Sequence, residues 1–184
     1  RSYSILPTSA GGNNLASSMP ACRSKYPSEI TPTPAIIAPI VFKDKPTTVF
    51  SEISLAIFSN AYTNEPVDFF NGYWEFSTTL VFDVQVGGDD VKRYTNLNFV
   101  GIQFTAPTID VSEMTHLHMD VWTPDPTELP TDLKILLFDV GPDLDFGGAA
   151  DNSSHEVSIT SPALQTGAWV SLDLPFTSFP GLTS

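Results

Sequence analysis

The chain has 184 residues, of which 41% are hydrophobic and only 16% charged, a balance that excludes an intrinsically disordered chain and a charge-rich helical protein. This length predicts one domain of ordinary size with room for a hydrophobic core. The formal net charge of −13 argues against a nucleic-acid partner, because phosphate contacts need a basic face. It also disfavours anionic lipid, and no apolar run reaches the roughly 18 residues of a membrane span.

The first 46 residues differ in composition from the rest. Residues 1–30 are small, polar and without sustained periodicity, and we interpret them as a tail or the remnant of a neighbouring module. Residues 31–46 begin with TPTPAIIAP, where alternating Thr and Pro favour an extended conformation. We predict a Thr/Pro-rich linker or arm, with an ordered arm packed on the sheet as the alternative. The start lacks the regions of a signal peptide, which suggests a mature or excised fragment.

Residues 47–184 carry the strand signals of a β-sandwich module. In TLVFDVQV, the residues Leu80, Phe82, Val84 and Val86 share one face, and the following GGDD predicts a tight hairpin turn into VKRYTNLNF. LNFVGIQF, HLHMDVW, HEVSIT and AWVSLDL predict further short strands, and LKILLFDV is as apolar as a central strand buried on both faces. Short strands with turns at this spacing predict an all-β sandwich or jelly roll.

Catalytic motifs are not evident in this sequence. His116-x-His118-x-Asp120 superficially resembles the start of a metallohydrolase motif, but further His ligands are missing and alternation puts both imidazoles on one strand face. There is no E-x-D-x-x-E run of β-sandwich glucanases, no G-x-S-x-G elbow and no phosphate-binding glycine loop. We therefore predict that the protein is not an enzyme.

The acidic, glycine-rich segment after LKILLFDV predicts a cation site. Asp143, Asp145 and Asp151 fall within a short stretch that offers the carboxylate and carbonyl oxygens that calcium prefers. The order of these residues differs from that of an EF-hand loop, so the alternative is a solvated acidic turn. We predict structural calcium as a cofactor here, held by these three residues.

Aromatic side chains interleaved with Asn, Asp and Glu give the strongest functional signal. Sugar rings stack on aromatic faces while amides and carboxylates bind their hydroxyls. Segment 62–74 has this composition, and Trp122 lies on the polar face of its strand, whereas Trp169 reads as a residue that covers the edge of the core. The predicted ligand-binding residues are Trp74, Trp122, Tyr62, Asp120 and His118.

From about Phe58 to Ser184 the chain resembles a family of non-catalytic β-sandwich modules of secreted bacterial proteins, often attached to glycoside hydrolases. The phrases that carry the resemblance are FSNAYTNEPVDFF, VKRYTNLNFVGIQFTAPTIDVSEMTHLHMDVWTPDP, LKILLFDVGPDLDFGG and HEVSIT…GAWVSLDLPFTSFPGLTS. The resemblance implies a galactose-binding-like jelly roll, a polysaccharide partner and an extracellular location. Members usually continue with further strands beyond GLTS, and their glycine- and aspartate-rich loop differs from FGGAADNSSHE, which weakens the calcium prediction.

The apolar stretch AIIAPIVF supports a second hypothesis from another class. An arm from one copy could add a strand to the open sheet edge of the next copy and so build an extracellular assembly. The alternative function is therefore a structural subunit that self-associates through its N-terminal arm.

Overall fold

The structure, a computed structural model, describes residues 3–9, 35–43, 54–104, 108–144 and 152–182. These parts of the chain hold strands and one short 3₁₀ helix, Phe176–Ser178, and no α-helix. The strands are β1 (Tyr3–Ser9), β2 (Ala35–Lys43), β3 (Ser54–Phe58), β4 (Leu80–Val86), β5 (Asp89–Thr95), β6 (His116–Trp122), β7 (Leu133–Asp139), β8 (Ser153–Ile159) and β9 (Trp169–Pro175). The prediction of an all-β protein is confirmed.

The strands form two antiparallel sheets. The smaller sheet has the order β1-β7-β8, and the larger one has the order β4-β5-β2-β6-β9 with β3 also paired to β2. The hairpin between β4 and β5 turns at Gly87 and Gly88, as predicted from the sequence. Both glycines have positive φ, 66° and 103°, which matches the turns that suit the twist of two-residue hairpins.

One hydrophobic core is shared by both sheets. Alternate residues of β6, namely Leu117, Met119 and Val121, are buried in it together with Ile135 and Leu137 of the central strand β7. These side chains follow the period of two that places every second residue of a strand on one face. Two antiparallel sheets with a common core are consistent with a β-sandwich.

The segments that we expected to form a tail and a linker both supply strands to the sheets. Strand β1, within residues 1–30, pairs with β7 along its whole length. Strand β2, within residues 31–46, pairs with β6 on one side and with β5 and β3 on the other. Our prediction was a tail for the first segment and, for the second, a linker or arm with an ordered arm packed on the sheet as the alternative. The sequence AIIAPIVFK is rich in β-branched residues, which suit a central strand, and this preference outweighs the Thr-Pro alternation before it.

Residues 97–104 differ from the strand that we predicted there. They form only isolated bridges, one of them between Phe69 and Gln103, and no regular ladder. Their apolar side chains are nevertheless buried in the core, namely Leu97, Val100, Ile102 and Phe104. The apolar residues of this segment thus lie on the buried side of an irregular stretch. Sequence periodicity alone does not distinguish such a stretch from a strand.

Candidate functional site

A cavity of about 460 Å³ opens on the larger sheet, and we call it the outer-face pocket. Segments far apart in the sequence meet there: the residues that follow β3, the β4–β5 hairpin, β6 and β9. The side chains most relevant to its chemistry are those of Asn60, Asp89, Val91, Asp120, Trp169 and Ser171.

The outer-face pocket lies on the side of the larger sheet that faces away from the core. On β9, Leu172 is buried in the core, whereas its neighbours Trp169 and Ser171 have the opposite parity and are exposed. On β6, Asp120 lies between the core residues Met119 and Val121, so its side chain points outwards. Substitution of these pocket residues therefore leaves the hydrophobic core untouched.

A change of pairing along β2 determines where the pocket forms. The edge of β2 that faces away from β6 pairs with β5 over residues 35–37 and with β3 over residues 40–43. The ladder to β6 shifts register between Ala38 and Ile40, which is the signature of a bulge, a feature common beside functional sites. Since Ala38 is the register partner of Asp120, the irregularity lies next to a pocket residue.

The loop after β3 fills the break between β3 and β5 and forms one wall of the pocket. The Asn60 carboxamide makes the two hydrogen bonds that a residue of a neighbouring strand would make. Its Nδ2 donates to the Asp90 carbonyl oxygen at 3.1 Å, and its Oδ1 accepts from the Asp90 backbone N–H at 3.3 Å. The Ser59 hydroxyl oxygen accepts from the backbone N–H groups of Ala61 and Tyr62 at 3.0 and 3.3 Å. The wall is therefore held in place by its own hydrogen bonds.

Of the predicted ligand-binding residues, Asp120 lines the pocket and His118 lies beside it. The Ser171 hydroxyl donates to Oδ1 of Asp120, and the two residues are direct register partners on β6 and β9. The His118 ring lies between two carboxylates, with Nδ1 3.3 Å from Asp173 Oδ1 and Nε2 3.6 Å from Asp120 Oδ1. These contacts fix the orientation of the Asp120 carboxylate.

Apart from Asp120, the sequence analysis predicted none of the pocket residues, and Trp169 is the aromatic one among those that it missed. Its side chain is 44% exposed and lines the pocket, although we interpreted it as a cover for the core edge. Its register partner on β6 is Trp122, a predicted binding residue that is half-buried on the same face and is not among the pocket-lining residues. The alternation of AWVSLDL contained the signal, because Trp169 has the opposite parity to Leu172.

Trp74 and Tyr62 do not line the outer-face pocket. Tyr62 is exposed and follows directly after the wall residue Ala61. A Cβ atom on Gly72 would come within 2.6 Å of Trp74 Nε1, so the indole packs closely over that glycine. The nearby Phe70 contacts the core, so the segment that contains Trp74 covers the opposite, inner side of the sheet.

The acidic segment proposed for calcium is described only in part. Asp143 is exposed in a turn, whereas Asp145 and Asp151 lie outside the described residues. Within the described ranges, no group of three or more His, Cys, Asp and Glu side chains is arranged to hold a metal ion. Asp139, at the end of β7, is fully buried: its Oδ1 accepts from the Gly141 backbone N–H at 2.9 Å, and its Oδ2 has no hydrogen-bond partner among the described residues.

The pocket as a whole combines one exposed indole with hydrogen-bonding groups. Its acidic members are Asp89 and Asp120, and its neutral polar members are serine and asparagine. An apolar ring face beside fixed acceptors suits a ligand that has both a flat hydrophobic side and hydroxyl donors.

Comparisons with known proteins place the chain in no group: no protein-family model, no curated protein and no solved structure matches it. The resemblance to carbohydrate-binding modules stays a prediction from the sequence phrases. Along the part of the chain that the structure describes, no helix is both long and apolar enough to cross a membrane.

Proposed function

We propose that this chain is a non-catalytic carbohydrate-binding module of a secreted protein and that its outer-face pocket holds a polysaccharide. The single observation that carries the proposal is the half-exposed indole of Trp169 beside the fixed carboxylate of Asp120. The two antiparallel sheets with a shared core support the finer proposal of a jelly-roll β-sandwich, which is the fold that the sequence resemblance implies.

The spacing of the pocket residues supports a sugar ring as the ligand. Ser171 is two residues from Trp169 on the same face, and Asp120 is the direct partner of Ser171. Diagonal neighbours on antiparallel strands are roughly 7–8 Å apart, so Asp120 lies one diagonal step from the indole. A pyranose ring stacked on Trp169 would therefore direct its equatorial hydroxyls towards the Asp120 carboxylate.

The proposed module binds its ligand and leaves the ligand chemically unchanged. Glycoside hydrolysis uses two carboxyl groups on either side of the scissile bond, one of them an acid in an apolar setting. The sequence contains no motif that assigns these two roles, and the proposal includes no catalytic step. Incubation of the protein with the glycan that it retains should release no reducing sugar, and any sustained release would contradict this part of the proposal.

Affinity electrophoresis through gels that contain β-glucan, xylan, mannan or alginate tests the proposal. We expect retardation in at least one gel, and Trp169→Ala should weaken that binding by roughly 1–3 kcal/mol, since a stacked aromatic side chain contributes on that scale. The melting temperature should change little because Trp169 lies outside the core.

Phe69→Ala is the matched control for this experiment. Phe69 is an aromatic residue that is 55% exposed and does not line the pocket, so this variant should bind like the wild type. Absence of retardation in every gel by folded protein would refute the proposed function. Equal losses of binding in the two variants would refute the assignment of the pocket.

Structural calcium near Asp143, Asp145 and Asp151 remains part of the proposal, and we add the buried Asp139, which precedes them in the sequence, as a further ligand. A fully buried carboxylate oxygen without a hydrogen-bond partner in the described part of the chain is energetically costly, and a cation would offset that cost. Calcium that binds only the folded state would raise stability by mass action. We therefore expect EDTA to lower the melting temperature and Asp139→Asn to abolish the effect of EDTA. A melting curve insensitive to EDTA, with no calcium by elemental analysis, would remove the site.

Self-association is the second candidate function, favoured by strand β4. This strand has β5 as its only neighbour among the described strands, and its apolar side chains Leu80, Phe82 and Val86 are 40–44% exposed. Exposed apolar edge strands are templates for pairing with another chain. The arm that we expected to supply the added strand contributes β2 within its own sheet, so its deletion would remove a central strand.

Light scattering after size-exclusion chromatography tests this second candidate. Oligomers that dissociate in Phe82→Lys but persist in Leu129→Lys, a change at a residue that is 76% exposed elsewhere, would support it. A monomeric wild type across the concentration range would exclude it.

A further inference from the structure

We propose that the outer-face pocket selects uncharged sugar units and rejects sugars that carry carboxylate or sulfate groups. This inference rests on the proposed function and adds the class of glycan. It is carried by the two carboxylates of the pocket, Asp89 and Asp120, which stand without a cationic partner within the pocket lining.

The first step concerns the charge of the pocket. Asp89 lies at the start of β5 and Asp120 lies on β6, with β2 between these two strands, and both residues line the pocket. No lysine, arginine or histidine belongs to the described pocket lining. The whole chain has a formal net charge of −13, so the surrounding field adds to the repulsion of anions instead of offsetting it.

The second step asks where the nearby cations are engaged. Lys92 lies on the inner side of β5, where its Nζ forms an ion pair with Asp83 and lies 4.0 Å from the centre of the Phe70 ring. Arg93 faces outwards further along β5, and its guanidinium lies 5.3 Å from the centre of the Phe82 ring. Neither side chain lines the pocket.

His118 is the remaining candidate for a positive charge beside the pocket. Its ring nitrogens lie 3.3 Å from the Asp173 carboxylate and 3.6 Å from the Asp120 carboxylate. Any positive charge on the ring is therefore outweighed by two adjacent negative charges. The local field at the pocket remains negative.

The third step concerns hydrogen-bonding capacity. An ionised carboxylate only accepts hydrogen bonds, so Asp89 and Asp120 both require donors on the ligand. Oδ1 of Asp120 already accepts from the Ser171 hydroxyl, and a carboxylate has a second oxygen that can accept from a ligand. Sugar hydroxyls donate and fit both acids, whereas the C6 carboxylate of a uronate offers only acceptors and would lose its hydration without compensation.

A comparison of the affinity of the protein for each neutral polymer with its affinity for the C6-oxidised form of that polymer tests the inference. Laminarin, cellulose oligomers and mannan are titrated by calorimetry at low ionic strength, each against the uronate polymer of the same linkage. Two charges a few ångströms apart at a protein surface repel by an energy that corresponds to roughly tenfold in affinity per carboxylate. We expect the neutral form that binds best to exceed its oxidised form by about that factor or more. Added salt should reduce the ratio of the affinity for the neutral form to the affinity for the oxidised form, because it screens the repulsion.

Charge-neutralising variants assign the effect to the pocket. Asp89→Asn keeps the shape of an exposed side chain and should raise the affinity for the oxidised polymer about tenfold, which narrows the ratio of neutral to oxidised binding. Glu128→Gln, an equal change of charge at an exposed residue outside the pocket lining, should leave that ratio as in the wild type.

The outcomes separate this inference from the proposed function. Equal binding of the two polymer forms, preference for an oxidised form, or an equal response in both variants would overturn the inference while carbohydrate binding stands. If the protein binds none of the polymers, neutral or oxidised, the proposed function is overturned instead.

Discussion

Tyr94 provides the most direct test of how the larger sheet is fastened to the segment that covers its inner side. Its side chain is fully buried, and its hydroxyl donates to the Phe70 carbonyl oxygen at 2.9 Å. Tyr94→Phe keeps the ring in the core and removes only the hydroxyl. The variant therefore measures one hydrogen bond between β5 and the segment around Phe70.

The size of the effect follows from the surroundings of the two groups. The loss of a hydrogen bond costs roughly 0.5–1.5 kcal/mol, and leaving a buried acceptor unsatisfied costs more. Phe70 is half-buried, so water can partly replace the hydroxyl, and we expect a loss of about 1–2 kcal/mol in the free energy of unfolding. For a chain of this length that loss lowers the melting temperature by about 2–8 °C.

The pH dependence of this difference gives a second measurement. Burial, and to a smaller extent the negative charge of Asp83, raise the pKa of Tyr94 above its ordinary value. The unfolded chain releases this proton above about pH 10 while the folded chain retains it. The wild type thus loses stability as the pH rises above that value. Since Tyr94→Phe lacks the group, the difference in stability between the two proteins should shrink in alkali.

Chemical denaturation at neutral and alkaline pH, followed by tryptophan fluorescence, provides both measurements. Tyr73→Phe is the control, because that ring is 67% exposed, and it should change stability by less than about 0.5 kcal/mol. Equal stability of Tyr94→Phe and the wild type at neutral pH, or a difference that grows in alkali, would refute the reasoning.

The remaining predictions concern three other contacts. Gly181→Ala should destabilise the protein by about 1–3 kcal/mol, because a Cβ there would lie 2.9 Å from the Ser154 carbonyl oxygen and a shift of the backbone costs free energy. An unchanged melting temperature would contradict this packing. The pKa of Asp110 is lowered to about 2, and the largest causes are the hydrogen bonds that the backbone and side chain of Ser112 donate to it. The stability that this carboxylate adds is present above its ordinary pKa and disappears as the pH falls towards 2, so Asp110→Asn should flatten the acid limb of the stability curve; identical acid limbs would contradict the assignment. Asn60→Ala should weaken glycan binding more than it lowers stability, since it frees the pocket wall at an exposed position; full affinity by calorimetry would show that the wall plays no part in binding.

The sequence predicted those features that depend on short-range pattern. The hairpin of β4 and β5 followed from two glycines between alternating segments, and the buried face of β6 followed from the spacing of Leu117 and Met119. Asp120 was identified as a candidate because alternation places it on the polar face of that strand. Each of these inferences uses only neighbours within one strand or one turn.

The features that were missed depend on partners remote in the sequence. Strand β2 is flanked by β6 and β5, and nothing in its own composition indicates which strands will pair with it. Trp169 was assigned to the core edge because the alternation along a strand shows which residues share a face. It does not show which of the two faces packs against the core. Residues 97–104 were predicted as a strand because burial on one side of an irregular segment gives the same apolar period.

The same break in pairing accounts for both the position of the pocket and its independence from the core. Along one edge, β2 pairs first with β5 and then with β3, so the ladder between β2 and β5 ends there. Beyond that point the Asn60 carboxamide forms hydrogen bonds with the main chain of Asp90 in place of a strand. The gap opens on the outer face, since the inner face at this level is filled by core residues such as Ile40 and Met119. The residues that line the pocket can therefore be substituted without a change in the core, which is the condition under which one fold can accept different ligands.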